Sequence, residues 1–146
     1  LEREVRSFGE RPIIDYPDSD GEPMADNDPQ YHCITDTRFA LEQHYHDNPQ
    51  VYVGADLLIY YVEGDPTKSV APDVLVALGA PRGNRRSYRI WKEGKPPEVV
   101  FEFASERSWR GDLGWKWGLY QGLGDHLRSD AARIFVTIGE RCLDFA

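Results

Sequence analysis

Two short apolar runs each carry a single charge, and this limits what the chain can fold into. From Val70 to Leu78 the only charged residue is Asp73, and from Val99 to Ala104 it is Glu102. Runs of this length, rich in β-branched residues and ending near glycine or proline, are expected to be strands of a covered sheet. Strand alternation sets Glu102 on one face with Val100 and Ala104, and Asp73 with Ala71, Leu75 and Ala77. An isolated buried carboxylate costs several kcal/mol, so it takes up a proton or finds a cation. Both acids therefore need partners from elsewhere in the chain.

Lys116 is one such partner. At 100° per residue a helix through this region places Trp109, Leu113, Lys116, Trp117 and Tyr120 on one stripe roughly 100° wide. An amine among large apolar side chains is expected to reach inward. Asp112 offers the alternative of an ordinary i,i+4 pair on the helix surface. Two acids and a lysine can form a buried ion-pair cluster, which adds little net stability. They can equally form a Mg²⁺ site, because hard oxygen donors suit an ion that keeps several waters and takes one or two carboxylates.

The rest of the chain reads as a single mixed α/β domain spanning 1–146, with a mixed central sheet flanked by helices. Residues 1–30 are expected to be largely loop, with prolines at 12, 17, 23 and 29. A helix is expected over Tyr31–Asp47, with Ile34, Leu41 and Tyr45 on one face, ending before Asn48-Pro49. Strands are expected at Val51–Ala55, Leu57–Val62, Val70–Leu78 and Glu98–Ala104. A loop covers Gly79–Pro97, a second helix Ser108–Leu123, and Arg133–Ile138 is a candidate last strand in an atypical tail, 125–146.

Composition excludes several classes. Hydrophobic residues at 40% and charged residues at 29% of 146 are globular values. No apolar window is long enough to span a membrane. Leu1–Glu10 lacks the apolar stretch of a signal peptide, so the expected location is cytoplasmic. The chain begins at Leu1 and its one methionine is Met24, as in a trimmed or partial sequence. Cys33 and Cys142 have no metal-ligand spacing, and neither a disulfide framework nor a zinc ribbon is expected. His44 and His46 diverge by about 200° on a helix and share no ligand. There is no Gly-rich phosphate loop and no Ser/His/Asp arrangement.

The net charge of −8 opposes nucleic-acid binding, where phosphate neutralisation supplies most affinity. Its distribution is uneven. Asp15–Gln30 holds six acids and no lysine or arginine, whereas Arg82–Lys95 holds six basic residues against Glu93 alone. The basic segment, with Arg85, Arg86 and Arg89, reads as a solvated loop or as a phosphate-contacting arm.

An ordered series of segments runs from about Tyr16 to Gly124: Tyr16-Pro17-Asp18-Ser19-Asp20-Gly21, Gly54-Ala55-Asp56-Leu57-Leu58, Val70-Ala71-Pro72-Asp73-Val74, Arg86-Ser87-Tyr88, Pro97-Glu98-Val99-Val100-Phe101-Glu102, then Ser105, Lys116 and Tyr120. This series resembles the PD-(D/E)xK nuclease superfamily, and within it a bacterial restriction-endonuclease-like family. The resemblance implies a restriction-endonuclease-like core and Mg²⁺-dependent endonuclease cleavage of DNA, with Mn²⁺ as a substitute ion. It implies that Asp73, Glu102 and the main-chain carbonyl of Phe103 hold the metal. The superfamily lysine two residues after the second acid is missing, since Ala104 stands there; in this branch its role passes to Lys116. Asp56 is a candidate accessory acid or a strand-edge turn residue. Arg85, Arg86 and Arg89 are candidate phosphate contacts, and a homodimer is a candidate assembly, with the glycine face of the second helix as its contact. Glu106, where a small residue is usual, either adds a ligand or repels substrate. Gly111, Gly114, Gly118 and Gly122 together cost about 3–4 kcal/mol of helix preference. These departures, with the polar Asp125–Asp130 stretch, leave open a second reading, a catalytically degenerate module that binds nucleic acid or a protein partner.

Overall fold

The computed structural model describes residues 12–104, 109–126 and 133–138, with side chains over 12–104 and 114–123. Helix α1, Asp28–His44, starts three residues before the expected Tyr31. The Asn27 side chain accepts the N–H of Gln30 at 2.9 Å, and a proline occupies the first turn, where no N–H is required. Ile34 is fully buried, with Leu41 and Tyr45 packed beside it, as their spacing predicts. Cys33 on the same helix is disulfide-bonded, against expectation; Cys142, the chain's other cysteine, lies outside the described residues. A lone cross-link leaves no spacing pattern to read.

Among the described residues the strands are β1 Val51–Ala55, β2 Ile59–Tyr60, β3 Ser69–Val70, β4 Val74–Leu78, β5 Tyr88–Arg89, β6 Val99–Ala104 and β7 Arg133–Ile138. A single helical turn, α2 (Ile90–Glu93), follows β5, and α3 (Trp109–His126) lies between β6 and β7. The central sheet has the order β1-β4-β6-β7, antiparallel except for the parallel β6/β7 pair. A small sheet, β3-β2-β5, accompanies it. The α/β class with a mixed sheet and flanking helices is as the sequence predicts.

The expected strand Val70–Leu78 is in fact two strands in different sheets. Pro72 has no N–H to give to a ladder, and the chain changes sheets around it, from β3 to β4. Asp73 is thereby left just ahead of β4, at the rim of the central sheet. The expected loop Gly79–Pro97 contains β5 and α2, which alternation over two residues could not reveal. The tail does supply a closing strand: β7 pairs with β6 along six residues, from Val99↔Arg133 to Ala104↔Ile138. The polar stretch thought to replace that strand partly extends α3, which runs on to His126.

Each face of the central sheet has its own core. Val51, Val53, Val74, Val76, Phe101 and Phe103 meet α1 through Cys33 and Ile34. The alternate residues, Tyr52, Leu75, Ala77 and Val100, belong to a second cluster with Ile59, Tyr88 and Tyr120 of α3. Residues directly before or after a strand on this second face point toward α3. Asp73 and Glu102 share that parity.

Candidate active site

Continuing the ladders by one step sets three acids in one row. Ala55 pairs with Val74 and Phe101 pairs with Val74, so the next positions outward are Asp56, Asp73 and Glu102. The Asp56 N–H donates to the main-chain carbonyl of Asp73 at 3.1 Å, prolonging the β1/β4 ladder past the strands. Asp56 has φ of 48°, a left-handed turn that ends β1. Both expected roles for this residue thus coincide in space: it is a strand-edge turn and it neighbours the acids.

Glu102 is 4% exposed and half-surrounded by α3. The Tyr120 hydroxyl donates to its Oε1 at 2.7 Å, and Lys116 Nζ lies 3.3 and 3.2 Å from its two oxygens. Lys116 reaches inward as predicted, but the stripe differs. Trp117 is 45% exposed, and the inward face is Lys116, Leu119, Tyr120 and Leu123. The side chains of Trp109 and Leu113 lie outside those described. Tyr120 reads from sequence as a core residue; its position four residues after Lys116 was the available signal that it shares the lysine's target.

Asp73 is half-buried, and its Oδ2 accepts the Phe103 N–H at 2.6 Å. Burial pushes its carboxyl up to about 7, with the Glu102 charge adding to the rise; the Phe103 N–H and Lys116 oppose it, and Asp56 adds a little. Asp56 is itself raised, by burial and then by Asp20 of the N-terminal segment. Burial and the adjacent Glu102 also raise the Tyr120 phenol, which therefore stays protonated and can only donate to Glu102.

The Phe103 carbonyl accepts a hydrogen bond from Gln30 Nε2 at 2.8 Å, while Gln30 Oε1 accepts the Asp26 N–H at 2.9 Å. The first turn of α1 is thus tied to the end of β6. A carbonyl oxygen has two lone pairs, so this bond leaves one for another partner. Nothing in the sequence around Gln30 sets it apart from an ordinary first-turn residue.

The three arginines do not gather at these acids. Arg85, 13% exposed, is bonded to Glu93 at 2.7 and 3.3 Å and lies over the Tyr52 ring. Arg86 is 88% exposed and pairs with Asp18 at 3.1 Å. Arg89 lies over the Tyr16 ring, which also meets Tyr60 and Trp91. Arg86 and Arg89 therefore fasten the acidic N-terminal segment to the small sheet. Glu106 lies outside the described residues.

Among the described residues no three His, Cys, Asp or Glu side chains gather to hold a metal. The pair Asp73 and Glu102 still fits one class of ion. Two mutually repelling carboxylates in a desolvated corner are relieved by a cation, and an all-oxygen pair suits a hard divalent ion that keeps its waters.

No family model and no curated protein matches this chain. A solved structure resembles it in part. That structure is of a candidate nuclease of the DUF820 family from Anabaena variabilis, with a TM-score of 0.48 and 10% identity. The similarity covers 75% of this chain, which spans 57% of that protein's length. Among the described residues no helix is long and apolar enough to cross a membrane.

Proposed function

We propose that this chain is a Mg²⁺-dependent endonuclease of the PD-(D/E)xK kind, hydrolysing phosphodiester bonds of DNA, with Mn²⁺ able to substitute. The observation that carries the reading is the row of acids: Asp73 immediately before β4 and Glu102 on the neighbouring β6, on one face, with Lys116 Nζ 3.2 Å from Glu102. Asp73, Glu102 and the remaining lone pair of the Phe103 carbonyl would hold the ion. Bound there, Mg²⁺ supplies a more acidic water and neutralises charge on the phosphoryl oxygens.

The protein's own groups have distinct tasks. Lys116, fixed by Glu102, points an N–H at the attacking water or at a phosphoryl oxygen as negative charge builds. Tyr120 holds Glu102 in one orientation. Gln30 holds the Phe103 carbonyl, and the Phe103 N–H holds Asp73, so both ligands of β6 and the acid just before β4 are tied into one unit. Asp56 adds negative charge nearby and favours cation uptake. The DNA, a dimeric assembly and any role of Arg86 in contacting phosphate once released from Asp18 belong to the same proposal.

A second reading has one observation in its favour. Among the described residues every buried side-chain polar atom has a hydrogen-bond partner, as in a purely structural ion-pair cluster. A degenerate module would bind nucleic acid or a protein partner without cutting. Plasmid cleavage, followed as Mg²⁺ or Mn²⁺ is titrated, separates the two. Wild type should cut, while Asp73→Asn and Lys116→Gln should lose at least about 100-fold, the usual scale for removing an electrostatic or acid–base contribution. Equal cutting by all three proteins would sink the assignment, and no cutting by any favours the second reading.

A further inference from the structure

The proposed site says where a phosphate is cut but not how the strand reaches it. Among the described residues β1 pairs only with β4, so its other long edge is open to a neighbouring groove of about 580 Å³. The C-terminal end of α1, with Arg38, Glu42 and His46, forms one wall, and Arg82, Asn84 and Arg85 of the loop after β4 form the other. Tyr52 of β1 lies in the floor.

The charge of this groove runs against that of the chain. Three arginines line it against the single carboxylate of Glu42, in a protein of net charge −8. Arg38 uses Nε for Glu42 at 3.0 Å and is 48% exposed; its terminal nitrogens have no bond among the described residues. Arg82 sets Nη2 against the carbonyls of Tyr45, His46 and Asn48, which leaves its other nitrogens for a ligand. Arg85 is held by four hydrogen bonds to Glu93, Pro81 and Gly83 and forms a fixed part of the wall, its charge paired with Glu93. Asn84 and His46 are exposed polar groups on opposite walls.

The groove also leads somewhere. Its far end is built by Ala55 and Leu57, which flank Asp56, and Asp56 is bonded to the main chain of Asp73. A five-residue strand at about 3.3 Å per residue is roughly 17 Å long. The groove follows β1 from the arginine walls toward the end of the strand that precedes Asp56. The volume matches a small-ligand pocket, which takes a nucleotide or two and has no room for a duplex.

We propose that this β1-edge groove holds one strand of nucleic acid by its backbone and delivers it, single-stranded, to Asp73 and Glu102. The proposal rests on the nuclease reading for what happens at the end of the groove, but binding along it does not depend on cleavage. A positively charged groove that tracks the backbone is a usual element of single-strand binding.

The test is fluorescence anisotropy of a short labelled single-stranded oligothymidylate, in chelator so that no cutting occurs, over a salt series. Wild type should bind, and a duplex of matching length should compete poorly. Arg38→Gln removes one accessible guanidinium. It should weaken binding several-fold and reduce the slope of log K against log salt by about 0.7, the single-strand value per phosphate contact. Asn84 is exposed and its side chain makes no hydrogen bond among the described residues, so Asn84→Glu only adds a repelling charge and should weaken binding at least as much. Lys68→Gln, an exposed charge outside the groove, should match wild type. No binding by wild type, equal binding by the Arg38 and Asn84 variants, or full competition by the duplex would each overturn the proposal. Binding with this pattern in a protein that never cuts would leave the groove assignment standing and remove only the nuclease reading.

Discussion

Replacing Asp73 with asparagine should make the metal-free protein more stable while removing its proposed activity. The carboxyl is raised from 3.8 to about 7, first by burial and then by Glu102. Between those values the folded state holds a proton that the unfolded state releases. The slope of unfolding free energy with pH is therefore negative, and stability falls as pH rises from about 4 to about 7. A rise from 3.8 to about 7 corresponds to at most about 4 kcal/mol above pH 7, at about 1.36 kcal/mol for each tenfold change in proton affinity. Half-burial and local relaxation reduce the measurable part to about 2–3 kcal/mol. Asparagine is nearly isosteric, its oxygen can still accept the Phe103 N–H, and it carries no charge to desolvate. Urea unfolding in chelator at several pH values reads the effect. The variant should gain about 2–3 kcal/mol over wild type at pH 8 and almost nothing at pH 4. A wild-type stability that is flat from pH 4 to 8, or a variant no more stable than wild type at pH 8, would refute the claim that Asp73 is held in a repulsive, desolvated place.

Three further outcomes follow from the same contacts. Lys116→Met removes the ammonium paired with the buried Glu102 while the Tyr120 hydroxyl bond remains, and should cost about 3 kcal/mol by urea unfolding at pH 8. Tyr120→Phe removes only the hydroxyl donor to Glu102 and should cost about 1–3 kcal/mol, with packing retained and far-UV circular dichroism unchanged. Gly118→Ala places its methyl in open space on α3 and should raise stability by about 0.5–1 kcal/mol; a loss of stability, or of oligomer mass in solution, would show that another surface covers the glycine face.

How much of this fold could be read in advance depended on how local its causes are. The bounds of β1 and β7 emerge from composition alone, because five or six β-branched and apolar residues between turn signals admit few other states. The start of α1 does not, because Asn27 becomes a cap only if its side chain turns onto the Gln30 N–H. The division of Val70–Leu78 between two sheets was signalled by Pro72, yet a proline at a strand's start and one between two strands look identical in sequence. β2, β3 and β5 are two residues each and are held by pairing partners far along the chain, such as Ile59 with both Val70 and Tyr88. No window of local sequence contains that information.

The site was legible for a different reason: charge in an apolar run is a contradiction that the fold must resolve. Asp73, Glu102 and Lys116 each break a pattern, and a pattern can be broken profitably only where another broken pattern meets it. The same logic explains what was missed. Tyr120 and Gln30 break nothing; a tyrosine suits a core and a glutamine suits a helix start, so their bonds to Glu102 and to the Phe103 carbonyl leave no trace in composition. The arginines failed in the opposite direction. Clustering in sequence made Arg85, Arg86 and Arg89 look like one surface, but two of them bind the N-terminal segment, and the accessible guanidinium beside Arg85 comes from Arg38 of α1. A run of like charges is defined by the chain, whereas an electrostatic surface is defined by the fold, and only groups that conflict with their own neighbours carry their destination with them.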